Sequence, residues 1–457
     1  MSRKDMIITL VSAALLAALP LTVSAQQAQV VRAQSAEPLV FWEAVGDTTL
    51  VRLVRQTLAA NGDLRSAAAR VDEARAHRTE AALDLAPTVT ASAGYTRERL
   101  SLAGLPGPVD RDRDYWDAGV QGSWEIDVFG RLRGSLRGSN ALLGSTEADE
   151  RAVQVTVTAE LAREYMGLRG LQEQLTVARE NAENQERTFE LTRRRLEAGR
   201  GNELDTERAR AQLSLTRAAA LDLESRVTSA GYRIAVLAGR APETVLAELS
   251  EPQPMPQLPA MDVPVPGLID AIVRRRPDVV SAERRVAAAT AFHGAANADY
   301  LPRLALVGGI GTSTSEFDEI GGSGTSRYAV GPVVSWPLLN LGRVKAGADA
   351  ARAQRDAAEA EYQQTVLRAS EEIRTAVVRY RSAHGRLELL DEAAQASRRA
   401  AELATRRFEA GAADFLQVLD ADRTRLAAEE QLARGRSEAG ALLVGLYRAF
   451  GAEWPGR

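Results

Sequence analysis

The sequence predicts a chain of mixed α and transmembrane β structure, built as a duplicated unit of helix, β-hairpin and long helical hairpin. Three observations carry that prediction. Proline is absent from 109 to 241 and again from 338 to 454, which permits helices of unusual length. Ahead of each proline-free tract, apolar and polar residues alternate with a period of two, the mark of strands with one apolar side. Finally, WEIDVFGRLRG, beginning at Trp124, has an echo in WPLLNLGRVKAG from Trp336, an offset of 212 residues.

The chain opens with Arg3 and Lys4, an apolar run from Met6 to Val23, and the small residues Val23, Ser24 and Ala25. This reads as a cleaved secretory signal over residues 1–25. An uncleaved membrane anchor is the alternative, but Pro20 breaks the run and the small-residue flank suits a signal peptidase. No later stretch approaches the ~20 apolar residues of a spanning helix. With 0 cysteines, disulfides are excluded, and a lipid anchor on an N-terminal cysteine is not expected. An extended segment over 26–48 then leads into a first repeat over 49–240.

In that repeat Val89, Ala91, Ala93 and Tyr95 alternate with Thr88, Thr90, Ser92 and Gly94. Further on, Trp116, Ala118, Val120, Gly122, Trp124 and Ile126 share one side, and Asp117, Gly119, Gln121, Ser123 and Glu125 the other. The polar stretch 101–113 joins the two runs into a hairpin over about 87–127. The second repeat, 267–451, follows the same plan over about 302–338, where Gly308, Gly309 and Gly311 weaken one strand and Pro332 interrupts the other. Strands of about ten to twelve residues suit a tilted crossing of a bilayer, and equally a soluble sandwich. Four strands cannot close a barrel, and open edges are not tolerated in lipid. A membrane reading therefore makes several chains share one barrel, with eight strands from two copies or twelve from three.

The proline-free tracts carry helical spacing. Val153, Val157, Leu161, Tyr165, Leu168, Leu171 and Leu175 recur close to every 3.6 residues, as do Val366, Ile373, Val377, Tyr380, Leu387 and Leu390. LEAGRGNELD at 196–205 and FEAGAADFLQ at 408–417 interrupt the tracts, so each becomes a helical hairpin, over about 135–240 and about 346–451. A helix from Ser135 to Ala198 spans ~96 Å at ~1.5 Å per residue, a length that belongs to a bundle, coiled coil or tube. Prolines crowd into a linker over 241–266, and residues 452–457 form a tail.

At the 212 offset Glu190, Arg194, Glu197 and Gly199 return as Glu402, Arg406, Glu409 and Gly411. Upstream of the hairpins the offset is 215, which sets Asp63 on Asp278, Arg70 on Arg285 and Pro87 on Pro302. The three-residue change falls in the hairpin region.

Chemistry is sparse. The net charge is −4, and Lys4 and Lys345 are the only lysines; the arginines are spread along helices beside acidic residues, which does not describe a nucleic-acid surface. His77, His293 and His384 are isolated, with no cysteine and no metal-ligand spacing, so neither metal nor cofactor is expected. No GxxxxGK[ST] loop occurs. The chain does not read as an enzyme.

In their duplicated order, FWEAVGDTTLVRLVRQTLAANGDLRSAAARVDEARA, the prolines ahead of the strands, the W..(D/N).(F/L)GR signature and the RRFEAGAADFLQVLDADR turn resemble the TolC-type outer membrane efflux proteins. The likeness is to the NodT-like group that serves resistance-nodulation-division (RND) pumps, and it covers essentially the whole chain after residue 25. It implies a homotrimer whose twelve strands form one barrel in outer membrane lipid, continuous with a periplasmic tunnel of twelve helical segments. The implied function is a passive exit duct for drugs or other small amphiphilic compounds, partnered by a periplasmic adaptor protein and an inner-membrane RND pump. Many relatives in the group are lipoproteins, a pattern this cysteine-free chain departs from. A protein-secretion or metal-efflux duct, and a soluble periplasmic scaffold or adaptor, are the alternatives.

Three sets of residues follow as candidates. At the turns, Gly199 and Gly411 suit helix C-caps, and Asn202 and Asp414 suit the N-caps of the next helices; capping alone accounts for them. The resemblance adds adaptor contact through Gly199, Arg200, Gly201, Asn202, Glu203 and Leu204, and through Gly411, Ala412, Ala413, Asp414 and Phe415. Leu416 and Asp420 lie one turn apart on one helix face. The resemblance makes them a periplasmic gate of one apolar and one acidic ring; a surface-facing pair is the plainer reading. At the barrel-to-tunnel junctions stand Trp124, Gly130, Arg131, Trp336, Gly342 and Arg343, where the tryptophans suit either an aromatic girdle or packing at the joint.

Overall fold

The computed structural model describes residues 37–101, 111–256 and 266–452. The signal reading of 1–25, part of the 241–266 linker and nearly all of the tail lie outside them. Among the described residues three helices come first, α1 (Glu37–Val45), α2 (Thr48–Ala60) and α3 (Gly62–Leu83), followed by β1 (Thr88–Arg99) and β2 (Asp112–Ile126). The long hairpin of α4 (Arg131–Glu197) and α5 (Glu203–Leu237) completes the first repeat. After the short helices α6 (Pro242–Leu249) and α7 (Pro266–Arg275), the plan returns as α8 (Pro277–Ala298), β3 (Arg303–Thr314), β4 (Ser326–Ser335), α9 (Leu341–Glu409) and α10 (Phe415–Ala449).

Corresponding elements coincide to the residue at the two offsets for α3 with α8, β1 with β3, and α5 with α10. Individual bonds recur too. Asn61 Nδ2 donates to the Leu237 carbonyl at 2.9 Å, and at the matching place Arg276 Nη1 donates to the Ala449 carbonyl at 2.9 Å. Arg276 also reaches Asp278 and Glu372, so the second repeat ties α9 into a joint that the first leaves simpler.

Two segments differ from expectation. Where an extended stretch over 26–48 is expected, Glu37–Val45 is helical: Trp42 is fully buried and its ring packs 4.7 Å from that of Tyr447, an anchor that nine residues show no periodicity to reveal. Within the 241–266 linker, Pro242–Leu249 also forms a helix, started by a proline at its first turn and held by buried Val245 and Leu249.

The four strands form one antiparallel sheet in the order β1-β2-β3-β4. Its register aligns the alternating pattern across all four strands, because directly opposed residues share a face. One row runs Ala91, Val120, Ile310, Tyr328 and the next Val89, Gly122, Gly308, Val330. The opposite face carries Thr90, Gln121, Gly309 and Ala329, then Ser92, Gly119, Gly311 and Arg327. The apolar face is uncovered, with Tyr328 83% and Val330 72% exposed. Pro332 lies inside β4 without breaking it. Ser313 N–H donates to the Thr325 carbonyl, so bonded pairs fall at odd-numbered residues of β4, and Pro332 turns its nitrogen to the outer edge.

The helices form a layer one helix thick. On the sheet side its order is α3, α4, α8, α9; on the far side it is α5, α4, α10, α9. At 67 and 69 residues, α4 and α9 each extend about 100 Å at ~1.5 Å per residue. The largest core lies around mid-height, where Leu161, Tyr165, Ile373, Tyr380, Leu443 and Tyr447 meet the short helices. Into it is buried Arg169, which donates to Tyr165 Oη, Gln172 Oε1 and the Glu251 carbonyl, pinning the inter-repeat segment. Among the described residues no helix is long and apolar enough to cross a membrane.

Candidate functional site

The two sheet-to-helix junctions share one bond and differ otherwise. Trp124 Nε1 donates to the Leu85 carbonyl at 2.9 Å and Trp336 Nε1 to the Tyr300 carbonyl at 3.0 Å, so each indole clamps a strand end to the end of the preceding helix. Both rings remain partly exposed. In the first junction Arg131 forms a two-point pair with Glu125 at 2.8 and 3.1 Å. Asp127 accepts from the backbone N–H groups of Leu132 and Arg133 and from the Arg133 guanidinium. Burial pushes the Asp127 carboxyl up, but these donors outweigh it and hold its pKa below the ordinary value.

In the second junction Leu339, fully exposed, takes the place of Asp127, and Pro337 that of Glu125. The chain there makes a 3₁₀ turn over Leu338–Asn340, and α9 starts at Leu341. Gly130 is left-handed, with φ +80°, whereas Gly342 sits inside the first turn of α9. The repeated Gly-Arg therefore does not make the same turn twice, because the second copy lacks the acidic residues that brace the first.

At the far end the turns match closely. Gly199 and Gly411 have φ of +63° and +72°, and each ends its helix with a six-residue closure: Arg200 N–H to the Arg195 carbonyl and Ala412 N–H to the Arg407 carbonyl, both 2.8 Å. Asn202 accepts from Leu204 N–H and Asp414 from Gln417 N–H, starting α5 and α10. A small core of Phe408, Phe415, Val418, Leu419 and Ala209 holds the two tips together. The Arg195 guanidinium lies 4.4 Å from the centre of the Phe408 ring.

Leu416 and Asp420 both point away from that core: Leu416 is 54% exposed and Asp420 is exposed on the same face. Just above them lies a polar cluster that sequence reading missed. Arg425 Nη1 donates to Asn181 Oδ1 of α4 at 2.7 Å and to Glu429 Oε2 at 3.1 Å, Asp422 sits 3.3 Å from Nη2, and Arg398 caps the other oxygen of Glu429. Asp422, Arg425 and Glu429 stand at i, i+3 and i+7, a spacing absent at the matching places in the first repeat, Arg210, Leu213 and Arg217. That asymmetry was the available signal. Burial first, and then Glu429, push the Asp422 carboxyl up; Arg425 opposes them without prevailing.

The histidines stay apart. His77 faces Glu80 and His293 faces Asn297. Among the described residues no three His, Cys, Asp or Glu side chains gather as a metal site.

The model of the family described as outer membrane efflux protein matches residues 53–240 and 268–452, one match per repeat. The chain belongs to the outer membrane efflux protein family. This family member is 28% identical over 417 residues to outer membrane protein OprJ of Pseudomonas aeruginosa, covering 90% of this chain and 86% of the relative. It is 28% identical over 411 residues to the probable outer membrane lipoprotein SilC of Salmonella typhimurium, covering 89% and 87%. Among solved structures, the outer-membrane channel OprN aligns with a TM-score of 0.84 at 40% identity, over 90% of this chain and 92% of that one. VceC of Vibrio cholerae, at 24% identity and a TM-score of 0.83, shares the fold. As a family member the chain is an outer membrane efflux channel of the tripartite-pump type.

Proposed function

We propose that three copies close head to tail into one duct. In this reading twelve strands form a single outer membrane barrel and twelve helical segments a periplasmic tunnel, serving as the passive exit of an RND-type pump for drugs or other small amphiphilic compounds. The observation that carries it is a four-stranded sheet with an uncovered apolar face and two free edges. A soluble scaffold would leave that face in water. Heterologous edges of this kind generate a ring when the rotation closes. Three copies fit better than two, because an eight-stranded barrel is filled by its own side chains whereas the other face here offers small or polar groups such as Ser92, Gly119, Gly309 and Gly311, which leave a lumen. From Trp116, whose ring meets Tyr95 and Phe317, to Trp124 is about 26 Å along the strand at ~3.3 Å per residue. Strand tilt brings this to about 20 Å, comparable to the apolar band between aromatic girdles.

Export by the 1–25 segment and retention by the barrel alone, without acylation, belong to the same reading. Transport energy comes from the inner-membrane pump. The turns at 199–204 and 411–415 meet the adaptor, and three copies bring Leu416 and Asp420 into an apolar and an acidic ring that close the tunnel end. The test is single-channel conductance in planar bilayers. Leu416→Ala with Asp420→Ala raises it, and unchanged conductance in a correctly inserted double variant removes the gate from this face. Recovery of the wild-type chain as a soluble periplasmic monomer overturns the duct itself.

A further inference from the structure

Within the chain, the first repeat meets the second along a seam between α4 on one side and α8 with α10 on the other. Each repeat has another flank: α3 and α5 on the first, α9 on the second. If the ring of the preceding section forms, those flanks meet between copies. The two offsets then convert each contact of the inner seam into a contact between α9 of one copy and α3 or α5 of the next.

Toward the sheet the charged contact of the seam is kept, although the Ser145–Ser281 hydroxyl pair converts to Ala357 with Ser66. Arg285 Nη2 of α8 donates to Asp149 Oδ2 of α4 at 2.7 Å. Arg285 corresponds to Arg70 on α3, and Asp149 to Glu361 on α9. Both are exposed, and among the described residues neither side chain has an ion-pair or hydrogen-bond partner. The surface around the pair also matches. Gly134 and Gly138 admit α8 so closely that a Cβ on Gly138 would meet the Phe292 ring at 2.5 Å, and their counterparts on α9, Ala346 and Ala350, are small and uncovered.

Toward the tips the chemistry is lost. Arg425 with Asn181 converts to Leu213 with Ala393, and Arg436 with Glu173 to Glu224 with Gly385. Neither converted pair can form a salt bridge. We propose that neighbouring copies are joined by an Arg70–Glu361 ion pair in the upper tunnel, while their lower contact lacks the charged cross-links of the inner seam.

The absence of cysteine makes the test direct. Native mass spectrometry of the wild type comes first: a monomer overturns the ring reading itself. Given a trimer, Arg70→Cys with Glu361→Cys and a short thiol-to-thiol bifunctional reagent yields covalent dimers and trimers, and either single variant yields none. Arg70→Glu speeds trimer dissociation in detergent about five-fold, and adding Glu361→Arg restores it. A wild-type trimer showing neither cross-link nor charge-reversal rescue overturns the pair.

Discussion

Replacing Arg425 with methionine removes the charged link between α10 and α4 just above the Leu416–Asp420 face. Asn181 is 3% and Glu429 7% exposed, so in a nearly dry site the amide loses its charged donor and the carboxylate one of its two; the remaining partner of Glu429, Arg398, is itself 58% exposed. Breaking one side of a buried pair costs about 3–5 kcal/mol, and the orphaned amide oxygen adds roughly 1–3. Methionine returns about 1–2 kcal/mol through its methylenes, which leaves a net loss of about 3–6. With an unfolding entropy of about 2.1 cal/mol/K per residue, the 457-residue chain changes by roughly 1 kcal/mol per degree, so the midpoint falls by about 3–6 °C. Calorimetry of the detergent-purified protein measures the shift, and planar-bilayer recording reports a rise in conductance as α10 loosens. The combination Asp422→Asn, Arg425→Met, Glu429→Leu removes the stranded charges and recovers most of the midpoint. An unchanged midpoint and conductance in the single variant, or a triple variant no more stable than it, refutes the reasoning.

Asp422 supplies a pH test. Its carboxyl is held above the ordinary value, so the folded protein gains stability from its proton; the gain is fully present below the unfolded-state value and is lost as pH rises through the folded one. Asp422→Asn therefore flattens the thermal midpoint across the carboxylate range, read by scans at stepped pH. Gly239, at φ +64°, holds its Cα so close to the Ala60 carbonyl that a Cβ would sit 2.6 Å from the oxygen, whereas Gly199, at φ +63°, faces open space. Gly239→Ala lowers stability by about 3 kcal/mol and Gly199→Ala by about 1, measured as denaturation midpoints. Trp336→Phe deletes a single hydrogen bond between strand and helix, costs about 1 kcal/mol, and speeds amide exchange at Leu301 and its neighbours.

Much of this architecture was legible because periodicity and punctuation are local. The alternation from Trp116 to Ile126 marked a strand with unlike faces, and Gly199 with Asn202 marked a turn by the conformations that glycine and a short amide permit. What stayed hidden depends on distant partners. Arg169 looks like one more surface arginine until a carbonyl 82 positions away turns toward it. Glu37–Val45 has too few residues for a helical period, and only the Tyr447 ring explains Trp42. The Gly-Arg at 342–343 marks the junction but not its geometry: the copied dipeptide kept its spelling while Pro337 and Leu339 stand where the first copy has its acidic supports. At the tips the caps were visible, whereas the Arg425 cluster needed α4 beside α10.

Pro332 has a consequence for how the chain travels. It sits mid-way along β4, at the sheet's outer margin, with a nitrogen that can donate nothing. Before any ring closes, that margin is a sticky template on which stray chains could stack, and an interruption there shortens the run of donors on offer. The same missing donor means that a strand docking on β4 gains one bond fewer than β3 does on the opposite side. Misassembly and correct assembly are weakened at the same rung, so the choice between them falls to the helical layer, which only a properly folded neighbour can match.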